Sequence, residues 1–239
     1  MKRLLVAAFS VLSVALLVGC SGESSPTTEP ASEAEGPGVL AGRVAFSGEA
    51  PAPRQIQVTK DAEHCSVAKG EVQDVVVSAD GSLSDVVIEI EGVDGAAAAP
   101  PAAAMEIHQK GCMFSPRLLL VPDGTEVTIY NEDPVLHNIN TGQWNIAQIP
   151  DSSPIAQQLD FQGRSLIRVN CNVHSWMESF IYVARSSYVT VTGPDGRYRI
   201  EDVPPGEYRV TATHPTLGTE RFDITVGGGR AVEHDVTFQ

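Results

Sequence analysis

The sequence predicts an all-β protein built from two β-sandwiches. From Val39 onward apolar residues recur with a period of two, the mark of half-buried strands, and no segment holds a helical period for three turns. Turn signals at Asp80-Gly81, Asp123-Gly124, Asp195-Gly196 and Pro205-Gly206 interrupt that pattern at short intervals. The length, 239 residues, suits two modest domains at roughly 150 residues each better than one.

Composition narrows the function classes. Hydrophobic residues at 42% and charged residues at 19%, with 21 Gly and 16 Pro, describe a globular chain, neither disordered nor collagenous. The 30 acidic and 16 basic residues leave a net charge of −14. No nucleic-acid partner is expected, because reading a phosphate backbone needs a basic face that releases counterions. Neutral, cationic or metallic partners are. The four cysteines include no Cys-x-x-Cys pair, so a zinc ribbon, a redox dithiol and c-type haem attachment are disfavoured.

Residues 1–19 read as an export signal. Lys2 and Arg3 precede an apolar run, Leu4 to Val18, too short to span a membrane comfortably. Leu17-Val18-Gly19-Cys20 resembles the lipobox of bacterial lipoproteins. That resemblance implies cleavage before Cys20, acylation of Cys20 and stable membrane anchoring. Without Lys2 and Arg3 the mature chain would carry about −16. Ser21 resembles the sorting pattern that sends lipoproteins to the periplasmic face of the outer membrane in a Gram-negative host. The stretch 20–38 offers almost nothing to bury and is expected to be a disordered tether.

Strands are expected along Leu40-Gly42-Val44-Phe46, Val127-Ile129, Ile167-Val169-Cys171, Tyr198-Ile200 and Tyr208-Val210-Ala212. The Ala/Pro tract 96–104 reads as a linker. From Ser187, Val-Thr-Gly-Pro-Asp-Gly-Arg-Tyr-Arg-Ile followed by Val-Pro-Pro-Gly-Glu-Tyr-Arg-Val resembles the latter half of the carboxypeptidase regulatory-like (transthyretin-like) β-sandwich. The family's opening half would come from Gly42-Arg43-Val44 and Ser82 to Ile90. The module would then be discontinuous, 39–95 and 186–239, with residues 105–185 inserted.

The inserted segment carries the chemistry. Cys171-Asn172-Val173-His174-Ser175-Trp176-Met177 lies between two expected strands, Ser165 to Asn170 and Phe180 to Val183. A thiolate, an imidazole and a thioether at positions 1, 4 and 7 of one loop can converge on one point. A further imidazole, His137, follows the strand Glu126 to Tyr130. Two His, one Cys and one Met are the donor set of a mononuclear blue copper site; zinc, the main rival, would favour another His, Cys or carboxylate over the thioether of Met177. A binuclear copper centre would need a second cysteine in this loop.

At these residues the segment 105–185 resembles the cupredoxins, a family of Greek-key β-sandwiches. The Cys-x-x-His-x-x-Met spacing is most like that of the amicyanins. The resemblance implies one copper ion held by His137, Cys171 and His174 with Met177 axial, and Asn138 bridging the two ligand loops. It implies a one-electron carrier rather than an enzyme, with a copper-binding or sequestering role, or a structural one, as the alternative. A redox partner such as a c-type cytochrome would dock at an exposed edge of His174 flanked by Trp176 and Pro134, helped by the acidic charge.

Cys65 and Cys112 lie outside the ligand set. In an exported protein an even pair is most simply a disulfide. Two free thiols, or an auxiliary metal site with His64 and His108, are the alternatives. His214 and His234 have no partner pattern and are expected at the surface.

Overall fold

A computed structural model describes residues 36–93, 105–158 and 163–239, which belong to one compact unit. The signal peptide, Cys20, nearly all of the tether and the 96–104 linker lie outside the described residues. Gly38, assigned above to the tether, opens the first strand. Among the described residues no helix is long and apolar enough to cross a membrane.

The fold is all-β, two sandwiches of two sheets each. In the first, Gly38–Phe46 lies between Arg197–Val203, antiparallel, and the pair Ala231–Glu233 and Val236–Phe238, both parallel to it. Gly42 sits at the crowded centre of this sheet, where a Cβ would come within 1.9 Å of the His234 carbonyl oxygen, so only glycine fits. The facing sheet runs Val189–Val191, Val87–Ile90, Gly206–His214, Gly218–Val226. Leu40, Val44, Leu83, Ile88, Val210 and Phe238 pack between the two sheets.

The second sandwich is formed by the segment between these strands. Its five-stranded sheet runs Asn145–Gln148, His137–Asn140, Leu166–Asn170, Glu178–Ala184, Leu118–Pro122; its four-stranded sheet runs Ile155–Gln158, Glu126–Asn131, Glu106–Lys110, Met113–Ser115. Alternation is clean in Glu126–Asn131, where Val127 and Ile129 are buried, and in Leu166–Asn170, where Ile167 and Val169 are. Glu178–Ala184 is instead apolar on both faces: one meets the core of its own sandwich, and the other presents Tyr182 to Glu89 of the first sandwich at 2.7 Å.

Two expectations need correction. The stretch 39–95 does not pack wholly in the first sandwich. Arg54–Gln55 pairs with Glu71–Val72 to close a loop carrying the short helix Ala62–Cys65, and Ile56, Cys65 and Ala68 of that loop lie in the core of the second sandwich. The physical reason is that its apolar side chains find burial only there, and a 2.01 Å disulfide joins Cys65 to Cys112. His214 is not a surface residue. It is 1% exposed, and its Nδ1 accepts the N–H groups of Thr216 (3.1 Å) and Leu217 (3.2 Å). His234 is half-buried, stacked on Phe222 with ring centres 3.9 Å apart.

Candidate metal centre

Two chain segments meet at one end of the second sandwich. His137 is the first residue of the strand His137–Asn140, entered through the turn Asp133-Pro134-Val135-Leu136. Cys171 follows the last residue of Leu166–Asn170, which pairs with Asn140. The loop from Cys171 to Met177 closes on itself: the Cys171 N–H donates to the Met177 carbonyl (3.3 Å), and the Met177 N–H to the His174 carbonyl (3.0 Å). The adjacent strand ends bring His137, Cys171 and His174 together, with one ligand atom of each inside a span of 4.8 Å.

The geometry is specific. The Nδ1 atoms of His137 and His174 are 3.0 Å apart, and His174 Nδ1 is 3.9 Å from Cys171 Sγ. Both rings are fully buried, Cys171 is 3% exposed and Met177 1%. The His174 backbone N–H points at Cys171 Sγ at 3.4 Å, a donor for a thiolate.

Each imidazole has a carboxylate behind it. His137 Nε2 donates to Asp133 Oδ2 at 2.7 Å, and His174 Nε2 to Asp61 Oδ2 at 2.9 Å. A carboxylate accepts only, so both Nε2 atoms carry hydrogen and the two Nδ1 atoms face each other. Two ring nitrogens 3.0 Å apart beside a sulfur, shut away from water, need a shared proton or a metal cation between them. Burial pushes His137 below the ordinary histidine value, against the opposing pull of Asp133. Burial alone would raise the Asp133 carboxyl, yet the Cys112 and Gly111 N–H groups and the His64 and His137 rings hold it below the usual range.

A profile of the carboxypeptidase regulatory-like domain matches residues 180–239. No curated protein matches the chain. Among solved structures, a copper-containing nitrite reductase from Thermus scotoductus is 22% identical over 38% of this chain, with TM-score 0.27; the match spans 24% of that enzyme's length. A purple cupredoxin from Nitrosopumilus maritimus is 26% identical over 34% of this chain and 100% of its own, with TM-score 0.25. An oxidized amicyanin mutant is 20% identical over 40% of this chain and 97% of its own, with TM-score 0.28.

The matched stretch 180–239 holds the six later strands of the first sandwich, Val189–Val191 to Val236–Phe238, and the end of the second sandwich's strand Glu178–Ala184. The other residues singled out in the sequence fall as follows. Asn138 Oδ1 accepts the Asn172 N–H at 3.1 Å, and its Nδ2 donates to Asn145 Oδ1 at 2.7 Å. Asn172 Nδ2 also donates to Asn145 Oδ1 (3.1 Å), and Asn140 Nδ2 to Asn172 Oδ1 (3.0 Å), so four asparagines tie the cysteine loop to the histidine strand. Cys65 and Cys112 are disulfide-bonded, which leaves neither sulfur for an auxiliary site. His64 faces Asp133 at 3.1 Å, and His108 pairs with Glu132 (2.5 Å) and Glu106 (3.2 Å).

One expectation fails here. His174 has no exposed edge: the loop with Asp61 and Cys65 covers it, and Cys65 Sγ stands 3.7 Å from its Nε2. Trp176 is core, 4% exposed, with its indole N–H donating to the Cys112 carbonyl at 3.0 Å. The sequence reading missed Asp133 and Asp61 as histidine partners. The i,i+4 spacing of Asp133 and His137 is a local signal that could have found the first; Asp61, 113 residues from His174, leaves none.

Proposed function

We propose that the chain is an exported, lipid-anchored mononuclear blue copper protein and acts as a one-electron carrier. The observation that carries this reading is the buried pair of Nδ1 atoms, 3.0 Å apart, beside the Cys171 sulfur. His137, His174 and Cys171 would hold the ion, with Met177 as a weak further donor. Zinc takes thiolates as readily as copper does, so it is the thioether of Met177 that would favour copper. Bound there, copper would supply a reversible one-electron couple. The chain's own part is to hold the donors still. The four-asparagine network and the carboxylates behind both rings fix them in place, so little rearrangement accompanies a change of charge. Enclosure of the donors, with both rings fully buried, supports a carrier without a substrate position rather than an enzyme.

Anchoring through Cys20, a periplasmic outer-membrane location and a basic partner such as a c-type cytochrome belong to the same proposal. They rest on the lipobox-like sequence and on the acidic charge. The cover over His174 favours a second reading, retention of copper as cargo.

The deciding experiment is Cu(II) titration of the full chain followed by visible absorption and voltammetry. An intense thiolate-to-copper band with a reversible couple is expected. A colourless protein that prefers zinc would overturn the copper assignment, and a blue protein with no reversible electron exchange would leave the cargo reading.

A further inference from the structure

Asp61 occupies the N-cap position of the helix Ala62–Cys65, in a left-handed backbone conformation with φ 49° and ψ 38°, yet its side chain makes no capping hydrogen bond. Its carbonyl accepts the first bonds of the helix, from the N–H groups of His64 (3.0 Å) and Cys65 (2.8 Å). The carboxylate therefore does not perform the task an N-terminal aspartate ordinarily performs. It reaches His174 Nε2 at 2.9 Å, across 113 residues of sequence. Two further links hold the loop in place on either side of this contact, the Cys65–Cys112 disulfide and the pair His64–Asp133 at 3.1 Å.

We propose that Asp61 is a positioning residue of the metal centre: it holds the His174 proton on Nε2, keeps Nδ1 directed at Cys171 and adds a negative charge that favours the more highly charged metal ion. The proposal builds on the copper reading but has a separate footing, because the hydrogen bond orients the ring for any cation. His174 is fully buried, whereas the Asp61 side chain is 36% exposed, so the carboxylate stands between the ring and solvent. Loss of such a partner typically weakens metal binding by about 10- to 100-fold.

The test uses two variants of the full chain. Asp61→Asn keeps an acceptor oxygen and tolerates the left-handed backbone but removes the charge; Asp61→Gly suits the same backbone and removes both. In the metal-free proteins, nitrogen NMR of the imidazoles should show the His174 proton on Nε2 in wild type and Asp61→Asn, and a mixture with Nδ1–H in Asp61→Gly. In the Cu(II)/Cu(I) proteins, Asp61→Asn should raise the reduction potential by about 59 mV, the equivalent of a tenfold change in relative affinity for the two ions. Wild type with its His174 proton on Nδ1, or Asp61→Gly with unchanged tautomer and potential, would overturn the proposal. If wild type binds Cu(II) without a visible band, the copper reading fails by itself. Zn(II) affinity then replaces the potential, a 10- to 100-fold loss in Asp61→Gly sustaining the positioning role and no loss ending it.

Discussion

His137 and His174 are each held at Nε2 by a carboxylate and face Cys171 and each other with Nδ1, so single-atom changes at their neighbours should have readable effects. Cys171→Ser removes the thiolate and should abolish the visible band on Cu(II) addition. Met177→Gln should keep the band and lower the reduction potential, since a harder oxygen donor favours Cu(II); voltammetry of the two proteins checks it, and equal potentials would remove Met177 from the donor set. Away from the site, His214 is the residue most sensitive to acid. Burial, then the nearby Arg117, pushes it down to about 4, and its Nδ1 must stay unprotonated to accept two N–H groups. A histidine depressed in the folded state takes up its proton first in the unfolded chain. Stability should therefore fall as pH drops from the unfolded value of about 6.5 to about 4, by on the order of 3 kcal/mol, and this contribution should then level off. Urea melts of wild type and His214→Gln across that range should diverge at neutral pH and converge toward pH 4.

The loop from Arg54–Gln55 to Glu71–Val72 covers the metal centre. It contains one short helix and has little regular structure of its own, so its placement depends on Ile56, Cys65 and Ala68 in the second sandwich and on the disulfide. With Cys65 and Cys112 separated by 47 residues, removal of the crosslink by Cys65→Ser with Cys112→Ser should cost about 4 kcal/mol. Chelator extraction of bound metal should also accelerate, because His174 is covered only while the loop is seated. Unchanged extraction in the double variant would mean the loop stays closed without its crosslink. Strand class was readable locally in this chain, since Val127-Ile129 and Ile167-Val169 alternate over solvated neighbours. The loop was not readable in the same way: its three buried apolar residues show no period, and what they bury against lies far along the chain.

Across the whole molecule, the two sandwiches meet at a buried carboxylate and at Arg117, which reaches Asp74 and Asp85. Glu89, 4% exposed on a strand of the first sandwich, accepts the Tyr182 hydroxyl at 2.7 Å and the N–H groups of Arg185 and Ser186 at 2.6 and 2.9 Å. Burial and the neighbouring Glu89 charge drive the Tyr182 hydroxyl well above its ordinary value, so it remains a donor. Glu89→Ala would leave three donors unmatched and should cost about 3 kcal/mol. Calorimetry should show one transition in wild type and two in the variant; a single unshifted transition would show that the junction does not couple the halves.

What the sequence by itself determined about this protein is what depends on neighbours along the chain. The two-residue alternation and the Asp-Gly turns dictate an all-β class, and the spacing of Cys171, His174 and Met177 puts three soft or borderline donors in one loop. The tertiary structure alone decided what depends on distant groups meeting. Asp61 behind His174, Cys65 against Cys112, Glu89 under Tyr182 and the burial of His214 each join residues that no local pattern links. A hydrogen bond or a buried ring is a property of the space around a side chain, and that space is set by packing of whole sheets rather than by the residues on either side.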